Sequence, residues 1–285
     1  MRAGTAGGET AATAESTRPG RSAPAWLRTL GLQLGALVAF LALWEGLTAS
    51  GLIAGYLIPP ASDVLVVLWQ YTIEIFTGGP MQQHFMTTLI EIVLGFLGSV
   101  AVGVVIGALL AEFGSLRRAM YPYVVAVNAT PRIAFAPLFV IWFGFDHLSK
   151  IVMAIAIAAF PVLVNTMAGL SATSVDDLRL MRSLGATRGQ ILRRVRIPTA
   201  LPYMFAGFET AMLFSAVGAV VGEFMGGNRG LGYVTLLAQE LFRLDEAFAT
   251  IVLLGIQGFV LHRLVVIARR KIVFWQSDQQ TPVGQ

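Results

Sequence analysis

The sequence predicts an all-α integral membrane protein with about six transmembrane helices and one further helix lying in the membrane interface after the first span. Three observations carry this. Of 285 residues, 56% are hydrophobic and only 13% charged, where a soluble domain has roughly 25% charged residues, and the mean hydropathy is +0.72. The apolar residues come in blocks of about 20, the length that crosses a bilayer at about 1.5 Å per residue, whereas soluble helices alternate polar and apolar faces. The Lys and Arg residues are shared very unequally among the segments between the blocks, as the positive-inside rule requires.

Residues 1–25 are rich in Gly, Ala, Thr, Ser and Pro and carry Arg18 and Arg21. They lack an apolar h-region, so they read as a disordered cytoplasmic tail rather than a cleaved signal peptide. The membrane domain then covers residues 26–275, and residues 276–285 form a C-terminal tail. Its spans are expected at Leu30–Ala49, Phe85–Ala111, Ala119–Phe143, Ile151–Leu170, Thr199–Gly222 and Ala247–Ala268. Between the first two lies Tyr56–Phe76, where Pro59 and Pro60 precede Ser62, a good N-cap, and a short helix carries Asp63 and Glu74. It is too short and too charged to span comfortably, which places it in the interface rather than as a seventh span.

With the N-terminus inside, 16 of the 20 basic residues fall on the cytoplasmic side, and Lys150, Arg229 and Arg243 on the other. Arg132 falls inside a span. Both termini are therefore expected in the cytoplasm, and the pI of 9.8 follows from topology without any nucleic-acid partner. Two GxxxG patterns, Gly103–Gly107 and Gly218–Gly222, read as close helix packing. The absence of cysteine excludes disulfides and thiolate metal sites.

The segment from about residue 175 to 198 holds six arginines. Asp176 and Asp177 open it, as suits a helix N-terminus, and Leu178, Met181 and Leu184 recur at helical spacing. Gly185 interrupts. A second helical stretch sets Ile191, Leu192 and Val195 on one face until Pro198 ends it. The apolar face of this helix–break–helix has three possible covers: the ends of the protein's own spans, lipid headgroups, or a groove on another protein. A simple lipid-binding helix does not explain the break, because a central Gly costs roughly 1 kcal/mol against Ala.

No G-x-x-x-x-G-K-[ST] sequence surrounds either lysine, Lys150 or Lys271, so the chain has no phosphate-binding loop. It shows no nucleophile triad, paired carboxylates or metal cluster. His84, His147 and His262 lie near span ends, far apart in sequence, and read as interfacial. The chain is not expected to be an enzyme or to hold a cofactor.

"SLGATRGQILRRVRIPTALP" resembles the cytoplasmic signature loop of bacterial ABC-importer permeases, in which Glu-Ala-Ala is followed after three residues by Gly and, after a long spacer, by a hydrophobic-x-hydrophobic-Pro ending. Gly185 and Ala186 match the centre, and Val195, Ile197 and Pro198 the ending. The Glu-Ala-Ala positions are Arg179, Leu180 and Met181 instead, with Asp176 and Asp177 one turn earlier. "LIPPASDVL", "TPRIAFAPLFVIWFGF", "VVGEFMGGNRGLGY" and "RRKIVFW" extend the likeness over residues 55–275, toward the nitrate/sulfonate/taurine-type branch and its relatives for vitamin precursors such as the thiamine pyrimidine or riboflavin. The resemblance implies a type I importer permease fold and a coupling role for Asp176, Asp177, Arg179, Met181, Leu184, Gly185, Ala186 and Pro198. These would sit against a separate ATP-binding subunit, which holds the ATP and Mg. It further implies a second permease copy, forming a homodimer, two ATP-binding subunits, and an extracytoplasmic solute-binding protein, in the bacterial inner membrane. The principal alternative from the residues is a secondary transporter driven by an ion gradient, which needs carboxylates near the midplane and inverted repeats.

Charges inside the bilayer cost roughly 2.5–3.5 kcal/mol on insertion scales, and Arg132 and Glu209 fall near the midplane of the expected spans. Asn128, Arg132 and Phe135, flanked by Pro131 and Pro137, are candidates to line a translocation pathway with Glu209. The alternative is an Arg132–Glu209 ion pair that only packs the bundle. Asn165 reads as a helix–helix hydrogen-bond donor, and Glu45 and Glu91 as solvated or paired near the outer ends of their spans. By the resemblance, Gly222–Tyr233 lies at the outer mouth, where Glu223 and Arg229 are candidates to touch the solute-binding protein. A plain surface loop accounts for it equally well.

Overall fold

The computed structural model describes residues 25–51 and 57–275. The expected tails, apart from Ala25, and the start of the Tyr56–Phe76 segment lie outside them. Within the described residues the chain is helical: α1 (Ala25–Ala49), α2 (Ala61–Thr77), α3 (Pro80–Glu112), α4 (Gly114–Ala129), α5 (Ala136–Phe143), α6 (His147–Ser171), α7 (Val175–Ser183), α8 (Arg188–Ile191), α9 (Ile197–Gly226), α10 (Leu231–Glu240) and α11 (Leu244–Ile272). Among the described residues, five helical stretches are long and apolar enough to cross a membrane, six if the bent α4–α5 pair counts as one.

The centre is a three-helix layer in which α6 lies between α3 and α9. Ala154, fully buried, shows how close the approach is. A Cβ added to Gly95 of α3 would come within 2.4 Å of the Ala154 side chain, and one added to Gly218 of α9 within 2.5 Å of its Cα. Both GxxxG patterns face this same helix: Gly103 and Gly107 meet Val162 and the Leu163 carbonyl, and Gly222 meets Lys150. In lipid, where no hydrophobic effect drives helices together, such backbone approach supplies the dispersion contacts that hold a bundle.

Around this layer, α11 packs Leu261 and Val265 against Phe205 and Met212 of α9, and α2 and α10 join α3 and α11 through Ile75, Met81, Leu231 and Leu253. The opening helix α1 is tied at its C-terminal end: Trp44 Nε1 donates to the Pro59 carbonyl at 3.0 Å, and Glu45 accepts from the Ser62 amide and hydroxyl at 3.1 and 2.9 Å. Ser62 is therefore not the N-cap of α2. The helix begins at Ala61 after Pro60, and the Glu45 carboxylate supplies the anion at its positive end. With 17 residues, α2 stays outside the set of membrane-crossing helices, in line with the interfacial placement.

The expected continuous third span, Ala119–Phe143, is broken. α4 and the Arg132–Phe143 stretch meet at 81°. The cause is local: Thr130 precedes Pro131 and is extended, with ψ 135, because the proline ring excludes the helical region for the residue before it. Pro137 does no such damage, since it occupies the first turn of α5, where no amide donor is needed.

Candidate functional site

The basic segment folds as two short helices at a built turn. Ser174 caps α7 by accepting from the Asp177 amide at 3.0 Å, and Asp176 and Asp177 occupy the first turn, Asp176 pairing with Arg179 at 3.4 Å on the exposed surface. At the other end Gly185 takes φ +73. Its amide donates to Arg182 O and that of Ala186 to Met181 O, both at 3.0 Å, the Schellman arrangement that needs a left-handed residue. Two residues on, Thr187 and Gln190 form a reciprocal capping box that starts α8. Helix stop and helix start are thus both hydrogen-bonded, and the turn is rigid. Met181 and Ala186 are half-buried, while Val175, Leu180 and Leu184 stand 61, 59 and 72% exposed.

Pro198 does not end the second stretch. The chain stays helical from Arg188 to Gly226, and Pro198 lies in the first turn of α9. A π-turn at Leu192–Arg196, in which the Ile197 amide reaches back to Leu192 O, widens the helix just ahead of the donorless proline. The second half of the basic segment, from Arg188 on, is therefore continuous with α9. Arg196 fastens it further, bonding Glu112 at the end of α3 and the Leu170 carbonyl at the end of α6 at 3.3 Å. Sequence reading assigned no role to Arg196 or Glu112, because they lie 84 residues apart.

The structure does not bring Arg132 and Glu209 together. Glu209 pairs instead with Arg269 of α11 at 3.2 Å. Arg132 donates to Ile157 O at 2.8 Å and to Ala156 O at 3.4 Å, and to Asn128 Oδ1 at 3.0 Å. The Ile157 carbonyl is the one that Pro161, inside α6, leaves without its helical donor; the guanidinium replaces the missing bond. Phe135 stacks on Phe139 with ring centroids 6.4 Å apart, and the ring under the Arg132 guanidinium is that of Phe160, 5.9 Å from its centroid. Asn165 donates to Pro161 O within its own helix at 2.9 Å rather than across to another. Arg132→Ala is expected to lower stability by about 1–3 kcal/mol, the cost of an orphaned buried acceptor, with Arg132→Lys recovering part of it; thermal unfolding in detergent measures both.

At the opposite end of the bundle from α7, three ionisable residues from three helices are buried together: Glu91, Lys150 and Glu223, at 1, 2 and 1% exposure. Glu223 accepts from the Thr88 hydroxyl at 2.7 Å and from the Gly232 amide at 2.5 Å, so it anchors the start of α10. Gly230 and Gly232 leave room for it, since a Cβ on either would lie 2.3–2.7 Å from its carboxyl group. Thr88 in turn accepts from the Leu231 amide at 2.7 Å, and His84 Nδ1 from that of Gly230 at 3.1 Å. Lys150, counted from sequence as a loop charge, donates to the carbonyls of Asp146 and Gly226 at 3.0 and 2.9 Å and to Phe145 O. Glu91 bonds His147 Nδ1 at 2.8 Å. Two of the three histidines thus belong to this cluster, while Glu223, being buried, is closed off from a docked protein and only Arg229 is exposed. A cavity of about 150 Å3 lies over the cluster, lined by Glu91, Asp146, His147, Lys150, Asn228 and Arg229 among others. The signal in the sequence was three isolated charges in apolar blocks, with Gly-x-Gly seven residues after Glu223; nothing in it paired them.

Residues 99–273 match the model of the binding-protein-dependent transport system inner membrane component family. A Bacillus subtilis protein named for aliphatic sulfonates transport, SsuC, is 29% identical over 98% of this chain and 99% of its own. The riboflavin transport system permease RibX of Chloroflexus aurantiacus is 32% identical over 87 and 91%. The fold is shared with the MetNI methionine ABC transporter at a TM-score of 0.57 and 20% identity, covering 69% of this chain and 97% of that one. The chain belongs to the binding-protein-dependent transport system inner membrane component family, the membrane-spanning permease subunits of ABC importers.

Proposed function

We propose that this chain forms half of a translocation pore with a second copy of itself and moves a small organic solute or anion inward by alternating access. The transported class is that of similar permeases, a sulfonate such as taurine, nitrate, or a vitamin precursor of the thiamine-pyrimidine or riboflavin kind. The basic segment faces the cytoplasm, as do both termini, and the α10 end faces outward toward a solute-binding protein. Two ATP-binding subunits bind ATP and Mg and grip the segment, and this chain performs no covalent chemistry. The observation that supports this best is mechanical. The turn at Gly185 is capped on both sides and leads at Arg188 into the helix continuous with α9, which Arg196 fastens to α3 and α6, so a push transmitted through α8 reaches three central helices. The rival, an ion-gradient carrier, relied on Glu209 as a midplane carboxylate, and Arg269 already holds that group.

Co-expression with the ATP-binding subunit and reconstitution in liposomes with the solute-binding protein tests the reading. Accumulation of labelled taurine, nitrate, formylaminopyrimidine or riboflavin is expected to need ATP, and to persist when the proton gradient is collapsed. Uptake that continues without ATP and follows the gradient would overturn it.

A further inference from the structure

Arg132 is a cation without an anion. The carbonyl that it holds at 2.8 Å, that of Ile157, belongs to the middle of α6, a membrane-crossing helix, so the guanidinium lies deep in the bilayer rather than at its edge. Its partners are the Ala156 and Ile157 carbonyls, the Asn128 side-chain oxygen and the face of the Phe160 ring. All of them are neutral. Among the described residues every arginine–carboxylate pair is made elsewhere: Arg179 with Asp176, Arg196 with Glu112, Arg243 with Glu246, and Arg269 with Glu209. Dipoles satisfy hydrogens but do not cancel a charge, and an uncompensated charge at this depth is costly. Closing the gap left by Pro161 does not require one, since an uncharged amide would donate to the same carbonyl.

The surroundings suit a group that receives its anion from outside the chain. Asn128 and α6 hold the guanidinium in place, while its Nε makes no hydrogen bond among the described residues. The break at Thr130–Pro131 opens this side of the bundle: α4 buries none of its residues, and Pro131 and Ile133, on either side of Arg132, are exposed. Irregular backbone at membrane depth, like an unpaired charge, belongs where protein or water rather than lipid covers it. We infer that Arg132, positioned by Asn128 and α6, binds an oxyanion solute, and that the transported class is a sulfonate or nitrate rather than an uncharged pyrimidine or flavin. A guanidinium offers N–H donors in a fixed fork on a delocalised charge, which suits an anionic group with several oxygens, and it is more weakly hydrated than an ammonium. That the site lies on a path through the membrane rests on the proposed transport function; the anion site itself does not.

The decisive variant supplies the missing anion. Asn128→Asp sets a carboxylate where Asn128 Oδ1 now lies, 3.0 Å from the guanidinium. In the complex with the ATP-binding subunit, held in nanodiscs, it is expected to raise the unfolding temperature and to abolish the response to oxyanions. For wild type at constant ionic strength, replacing chloride by ethanesulfonate or by nitrate should raise that temperature, relative to Arg132→Gln, by about 3 °C once the anion stands about ten-fold above its Kd. The two salts separately show which oxyanion fits. Arg132→Gln keeps a donor for Ile157 without the charge, so it should fold and show no response, and Arg132→Lys should keep part of it. With the solute-binding protein in liposomes, ATP-driven uptake of labelled taurine or nitrate should fall at least about ten-fold in Asn128→Asp at unchanged permease level, the loss of one charge-assisted contact. An Arg132 that only mends α6 would leave Asn128→Asp fully active, which overturns the inference. So does a chloride effect equal to that of the oxyanions, which is a counter-ion only, or ATP-driven uptake of riboflavin or formylaminopyrimidine, which leaves the transport reading standing. Should Asn128→Asp not accumulate, the responses of Arg132→Gln and Arg132→Lys decide the matter. If no solute is taken up with ATP, the transport reading fails and the unfolding responses still decide the anion site.

Discussion

Gly185→Val is expected to cut uptake by the assembled complex at least ten-fold while leaving the amount of folded permease unchanged. The residue sits at φ +73 with nothing within 4 Å of an added Cβ, so the substitution meets no neighbour; it only forbids the backbone. A left-handed residue costs roughly 1–2 kcal/mol for an ordinary side chain and more for a β-branched one. The Schellman bonds at Arg182 and Met181 would break to relieve that, and the angle between α7 and α8 would change. Ten-fold in rate is about 1.4 kcal/mol, so strain of this size is enough. Asn tolerates the left-handed region, and Gly185→Asn should keep most of the uptake. The comparison is made by uptake assay against permease level in the same membranes. Equal uptake in Val and Asn forms would remove the turn from the mechanism.

Gly218→Leu should abolish the folded protein. Its side chain would have to occupy the space of the Ala154 backbone, 2.5 Å from the new Cβ, and overpacking of a filled core costs about 1–3 kcal/mol even where side chains alone must move; here a helix must. Gly255→Leu, on an exposed face of α11 with open space around it, should be tolerated. Size-exclusion profiles of tagged variants in mild detergent separate the two outcomes, and a monodisperse Gly218→Leu peak at the wild-type level would disprove the close packing of α9 on α6.

The contrast between these two glycines shows where sequence reading works. Gly185 was legible because a glycine that breaks the helical periodicity, followed by an Ala, marks a turn without any partner in space; the capping box of Thr187 and Gln190 beside it went unread. The spans were legible for the same reason, since a bilayer demands a run of apolar residues and nothing else. Each expected span is contained within an observed helix except the third, which holds Pro131 and Pro137 and bends by 81° at Thr130–Pro131. Pro198 failed in the opposite sense: a proline reads locally as a stop, yet a π-turn ahead of it lets the helix run on into α9.

What the sequence by itself determined, then, is what depends on neighbours along the chain: the helical class, the lengths of the spans, the glycine break and the family to which these blocks belong. Only the tertiary structure decided which charges meet. Arg132 went to a carbonyl freed by Pro161, 25 residues away, Glu209 to Arg269, 60 residues away, and Thr88 to Glu223, 135 residues away. In a membrane an unpaired buried charge is costly, but hydropathy records only that a charge is present. The partner is set by the helix rotations that glycine contacts such as Gly95 and Gly218 against Ala154 impose.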